Sequence, residues 1–95
     1  MNGIIFNQIS VRIIKEQALI IGPLAWEEAS KVSGFSVIDA RGEKVSFSGN
    51  EKEVIDNLVA QYQHLFGRAS REVCKEAVQD LIAEMPPDQI PSSLR

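Results

Sequence analysis

Val54, Ile55, Leu58, Val59, Tyr62, Leu65 and Phe66 recur at spacings of three and four, which predicts an amphipathic helix from about 51 to 66. Asn50, with Glu53 three residues later, supplies a cap and a capping-box acid for its start, and Gly67 ends it. Val73, Cys74, Ala77, Val78, Leu81, Ile82 and Met85 give a second stripe at the same period. They predict one continuous helix from about 69 to 85, stopped by Pro86-Pro87. Between residues 35 and 48 the period changes to two. Phe35 and Val37 alternate with Ser36 and Ile38, and Val45 and Phe47 alternate with Ser46 and Ser48. This alternation predicts a β-hairpin. Its turn is Asp39-Ala40-Arg41-Gly42, where Asp bonds its own backbone and Gly42 is expected to take positive φ.

The first third of the chain is less regular. Met1 to Phe6 reads as a short strand or an apolar arm, with Asn7 capping the helix that follows and Phe6 and Val11 at the staple positions. Ile9, Ile13 and Ile20 share one side of that helix, and Ile14, Ala18 and Ile21 widen it. Ile9 to Ile13 also alternates strictly, which suits a strand. The helix is preferred because the apolar pattern continues to Ile21 and Glu16, Gln17 and Ala18 favour it. Gly22-Pro23 closes this helix and opens another, Pro23 to about Val32, with Ala25, Ala29 and Val32 on one face. Two corners are alike: Ile20-Ile21-Gly22 and Leu65-Phe66-Gly67 each place an apolar pair and a glycine before a new helix. The match is too short to establish a duplication.

The expected fold is therefore α+β, a small single domain with helices packed around one β-hairpin and a C-terminal antiparallel helix pair. Residues 1–85 are expected to form the compact domain. Residues 86–95 are expected to form a partly mobile Pro/Ser-rich tail, with Ile90 and Leu94 as docking points.

Composition narrows the classes. A chain of 95 residues with 44% hydrophobic and 24% charged residues is an ordinary globular domain. Its net charge of −3 does not favour a phosphate-backbone binder. A single cysteine excludes an internal disulfide, and no apolar run approaches the ~20 residues of a membrane span. The N-terminus has no positively charged region followed by an apolar stretch and a cleavage site, so no secretory signal is expected and the reading is cytoplasmic.

Candidate chemistry is sparse. His64 falls on the polar side of its helix and Cys74 in an apolar stripe, which argues against a Cys–His nucleophilic pair. One His and one Cys do not make a structural metal site, and no phosphate-binding glycine motif is present, so no metal or cofactor is expected. The expectation is that the chain is not an enzyme. Glu72, Glu76, Asp80 and Glu84 recur every four residues as an acidic ridge, either a solvated face or a docking ridge for a basic partner. Arg68, Arg71 and Lys75 cluster at a helix start and make a candidate anion or nucleic-acid contact, with Glu72 and Glu76 beside them as the argument against. Trp26 is either a core anchor or an interface anchor.

The segment Ile21-Gly22-Pro23-Leu24-Ala25, followed by Glu27, Glu28 and Ala29, resembles a small helical module. Such Gly-Pro-apolar-Ala modules sit at the ends of bacterial and archaeal signalling proteins. Phe66-Gly67-Arg68-Ala69-Ser70 and Leu81 to Pro86 resemble its later part. The resemblance covers about half of the chain, and the Phe35–Gly49 hairpin departs from its all-helical pattern. It implies a non-catalytic regulatory module and carries over no catalytic residue. The expected function is a protein–protein interaction or regulatory module that self-associates as a homodimer. Its shared surface would combine the N-terminal isoleucines with the edges of the long helices. The alternative is a nucleic-acid-binding regulator using Arg68, Arg71 and Lys75.

Overall fold

A computed structural model describes residues 2–95, with side chains from residue 5 onward. The element order is α1 (Asn2–Ile21), α2 (Leu24–Ala29), β1 (Phe35–Asp39), β2 (Lys44–Phe47), α3 (Glu51–Phe66), α4 (Arg68–Ala77) and α5 (Gln79–Ile82). Two 3₁₀ turns follow, Pro87–Gln89 and Ser92–Leu94. The class is α+β, helices around a two-stranded antiparallel hairpin.

α1 is helical from Asn2, so Asn7 lies inside the helix rather than capping it. Met1 lies outside the described residues. The strand alternative for residues 9–13 is excluded: Ile9, Ile13 and Ile14 are fully buried on one helical face. Gln17 extends that face with a polar group. Its Nε2 donates to the Ser70 carbonyl oxygen (3.1 Å) and to Cys74 Sγ (3.4 Å), joining α1 to α4.

The hairpin pairs Phe35 with Phe47 and Val37 with Val45, and a bulge at Ile38 shifts Asp39 opposite Lys44. Phe35 and Phe47 meet edge to face, with ring centroids 5.3 Å apart. The turn differs from expectation. Asp39 Oδ1 accepts from the Arg41 amide (3.1 Å) as foreseen, but the positive φ falls on Glu43 (φ 56°), not Gly42. The bulge consumes one residue and moves the left-handed position one place along. Lys15 of α1, 3.1 Å from Glu43 Oε2, holds that side chain against the helix. Glu43→Val is accordingly expected to cost about 1–2 kcal/mol, because a β-branched residue is poorly accommodated there. Gly42→Val should cost less, since φ at Gly42 is not positive and an added Cβ meets side chains alone, the Asp39 carboxylate at 2.8 Å and Lys44 Cγ at 3.8 Å. Urea midpoints for the two variants check the order.

α3 begins as foreseen. Asn50 is extended (φ −77°, ψ 117°), and its side chain accepts from the Glu53 amide (3.1 Å). Val54, Ile55, Leu58, Val59 and Tyr62 are buried in the core with Phe6, Ile9, Ile13, Ile14, Ala25, Ala29, Phe35 and Val45. The expected continuous 69–85 helix is instead broken at Val78 (φ −121°, ψ 12°). Val78, at the break, is fully buried. The carbonyl freed at Ala77 is taken by Arg12 Nη1 (3.2 Å), which also pairs with Asp80 Oδ1 (2.9 Å).

Residues 86–95 pack against the domain rather than hanging from it. Pro91 and Leu94 are buried, and the 3₁₀ turn Ser92–Leu94 contacts both α3 and α4. Asp56 Oδ1 accepts from the Ser93 amide (3.0 Å) and Ser93 Oγ (2.6 Å), while Oδ2 accepts from Ser92 Oγ (3.0 Å). The compact unit therefore does not stop at residue 85.

Candidate interaction surface

Two helix corners meet at one end of the molecule. Gln17 of α1 bonds to Ser70 and Cys74 of α4, and Arg12 to Ala77, so α1 and α4 run in opposite directions. The end of α1 is thus level with Gly67 and the start of α4. Likewise Tyr62 Oη donates to the Ala25 carbonyl (2.6 Å), and Gln61 Nε2 donates to Glu28 Oε1 (2.8 Å), so α2 lies against the last two turns of α3. The α1–α2 corner at Gly22-Pro23 and the α3–α4 corner at Gly67 therefore sit side by side.

Among the described residues, five of the six exposed large apolar side chains belong to these corners. Leu19 is 80% exposed and Ile20 65%, with Leu24, Leu65 and Phe66 also open to solvent. This corrects the periodic reading, which placed Ile20, Leu65 and Phe66 on buried stripes. It also corrects the expectation that the N-terminal isoleucines form a shared surface: Ile9, Ile13 and Ile14 are interior. The sequence carried a signal for the exposed set, the apolar pair before glycine repeated at both corners.

The residues singled out for their charge do not converge. Glu72 and Glu76 are exposed on α4, Asp80 sits beyond the break and pairs with Arg12, and Glu84 follows α5 in a turn. The break at Val78 divides the supposed ridge in two. Arg68 and Arg71 line an open depression of about 490 Å³ with Gln63, Ala69 and Glu72, and Lys75 is not part of it. Arg71 Nε is 3.4 Å from the Ser93 carbonyl oxygen and so helps hold the tail. Trp26 is half-buried against the core, nearer to a core anchor than to a free interface residue.

Among the described residues every buried side-chain nitrogen and oxygen has a hydrogen-bond partner, and no three His, Cys, Asp or Glu side chains are grouped to hold a metal. Cys74 is buried, and burial pushes its thiol up to about 11, against a smaller opposing effect from the Gln17 hydrogen bond. Such a thiol stays protonated near neutral pH and is a poor nucleophile. His64 is exposed on α3. Burial raises the Tyr62 hydroxyl as well, so it remains the donor to Ala25. No helix among the described residues is long and apolar enough to cross a membrane.

Glu28 behaves differently. Its two oxygens accept from Lys31 Nζ (3.0 Å) and Gln61 Nε2 (2.8 Å), and these bonds, Lys31 first, hold its carboxyl below the ordinary range. A carboxyl depressed in the folded state adds stability above its unfolded pKa of about 4.3, and that stability is lost as pH falls through the folded value. Glu28→Gln should flatten this acid limb, which thermal melts between pH 6 and pH 3 would reveal.

Comparison of the chain with family models, with curated proteins and with solved structures gives no match.

Proposed function

We propose that this chain is a non-catalytic protein–protein interaction module of regulatory type, and that it self-associates through the apolar end. One observation carries the reading: Leu19, Ile20, Leu24, Leu65 and Phe66 are exposed together at adjoining corners of an otherwise well-filled domain. Five such side chains present on the order of 500 Å² of apolar surface, near the top of the ~300–600 Å² found for the largest patch on a monomer. That is also a large share of the ~800 Å² each partner contributes to a standard interface. A chain of 95 residues gains more from such burial than a larger one, and two-fold dimers are the commonest closed assemblies.

The likeness of Ile21–Ala25 to the Gly-Pro-apolar-Ala signalling modules agrees with a regulatory role. A lone buried cysteine with a protonated thiol fits the reducing cytoplasm. Nucleic-acid binding draws less support, because Glu72 shares the depression with Arg68 and Arg71, and Arg71 is engaged by the tail.

Sedimentation and light scattering test the proposal. A dimer of twice 10.5 kDa is expected at tens of micromolar, and its melting temperature should rise with protein concentration. High salt should leave the dimer intact, because screening does not weaken apolar contacts. Leu19→Ser with Phe66→Ser should dissociate it while leaving the circular dichroism unchanged. A monomer at 100 µM would overturn the reading.

A further inference from the structure

The two corners that form the apolar end carry opposite charge. From Glu16 to Ser30 the only charged residues are Glu16, Glu27 and Glu28. Glu28 is buried and held by Lys31 and Gln61, so Glu16 and Glu27 are the charges this corner offers. Glu16 lies one turn before Leu19 and Ile20, and Glu27 one turn after Leu24, so each borders the apolar side chains of its corner. The cations flanking this stretch are both paired, Lys15 with Glu43 and Lys31 with Glu28. From Asn57 to Arg71 there is no acidic residue, and Arg68 follows Phe66 across Gly67; Glu72, one turn further along α4, lines the depression with Arg68 and Arg71 and leaves this corner two arginines to one acid. The side chains of Glu16, Glu27 and Arg68 have no hydrogen-bond or ion-pair partner among the described residues.

From this arrangement we infer that the surface is self-complementary, and that its partner is a second copy of the chain docked crosswise. The inference rests on the self-association proposed above and adds its register. The α1–α2 corner of one copy covers the α3–α4 corner of the other, so that Leu19 and Ile20 seat on Leu65 and Phe66. A two-fold axis through the middle of the end repeats the contact in reverse. In this register Glu27 of each copy faces Arg68 of the other, so the acid–base contact is made twice. The other two-fold registers place a corner on its own copy, acid on acid or base on base, which like-charge repulsion disfavours. The apolar side chains supply the adhesion, and the charges select one orientation.

Charge reversal in the full-length chain tests the register. Glu27→Lys alone and Arg68→Glu alone each replace two attractive contacts by two repulsive ones. Each should raise the dimer dissociation constant by about tenfold or more at low ionic strength. An equimolar mixture of the two variants should form a heterodimer within about threefold of the wild-type affinity. In that heterodimer the introduced lysine of one chain faces the introduced glutamate of the other, while the unaltered Arg68 and Glu27 face each other across the second contact. The double variant should recover as well, and 0.5 M salt should shrink all these differences. Unchanged circular dichroism and monomer melting temperature would show that the variants are folded. A mixture no tighter than either variant alone, with the wild type still dimeric, overturns the crosswise register and leaves the apolar interface standing. A wild-type monomer overturns both.

Discussion

Leu58→Ala is expected to lower the unfolding free energy by about 3 kcal/mol, and Leu81→Ala by only about 1 kcal/mol. Both leucines lie on apolar stripes of the same period, and from the pattern alone the two substitutions would cost the same. Leu58 is fully buried at the middle of α3, in the core shared with α1 and α2. Truncation there removes buried methyl groups and leaves a cavity that helices fixed on several sides do not close. Leu81 is half-buried on α5, beyond the break at Val78, where one short turn leans on the rim of the core. Its loss mostly returns partly wetted surface to water. Urea denaturation at one fixed protein concentration, chosen because association adds to apparent stability, reads both values. Equal losses would mean that α5 carries as much of the core as α3 does.

The same contrast shows what was legible in the sequence. Elements held by their own residues were readable. α3 has its stripe, its Asn50 cap and its terminal Gly67 within 18 consecutive positions, and the hairpin declares itself by alternation. Features that depend on distant partners were not. At the break by Val78, Arg12, 65 residues before Ala77, donates to the freed Ala77 carbonyl. Leu94 is legible as a docking point of the tail, but the Pro/Ser composition that suggests partial mobility says nothing of Asp56, 37 residues away from Ser93. Glu43 takes the left-handed position through a bulge that no turn sequence announces.

The candidate surface was half legible for a related reason. Periodicity reports which side of a helix faces inward, but not where the neighbouring helices stop. Ile20, Leu65 and Phe66 keep the period of their stripes at helix ends where the neighbouring elements do not cover them, although Ile21 beside Ile20 still packs on the core. The charge patterns, by contrast, were visible and misleading, because a spacing of four assembles a ridge only on an unbroken helix.

Asp56→Ala is the second substitution expected to have a large effect, about 2–3 kcal/mol, through the tail rather than the core. A single carboxylate receives three hydrogen bonds from Ser92 and Ser93, and no other side chain in the described residues gathers as many from one segment. Charge-assisted bonds are about twice as strong as neutral ones, and the Ser93 amide is partly buried, so its loss of a partner is not fully repaired by water. Fixing Ser92 and Ser93 also places Leu94, which is 1% exposed between α3 and α4, and Pro91 beside it. Release of the serines therefore withdraws an apolar plug from the core. Arg71 and Lys52, which reach the carbonyls of Ser93 and Asp88, act only while the tail is in place. The amides of Ser93 and Leu94 should exchange with solvent much faster in the variant, with little change at Tyr62 or Ile13, which marks a local opening. Asp80→Ala is the control. It removes an exposed pair with Arg12, at 2.9 Å, and should cost no more than about 1 kcal/mol. Equal costs for the two aspartates, or unchanged exchange at Leu94, would show that Asp56 does not hold the tail.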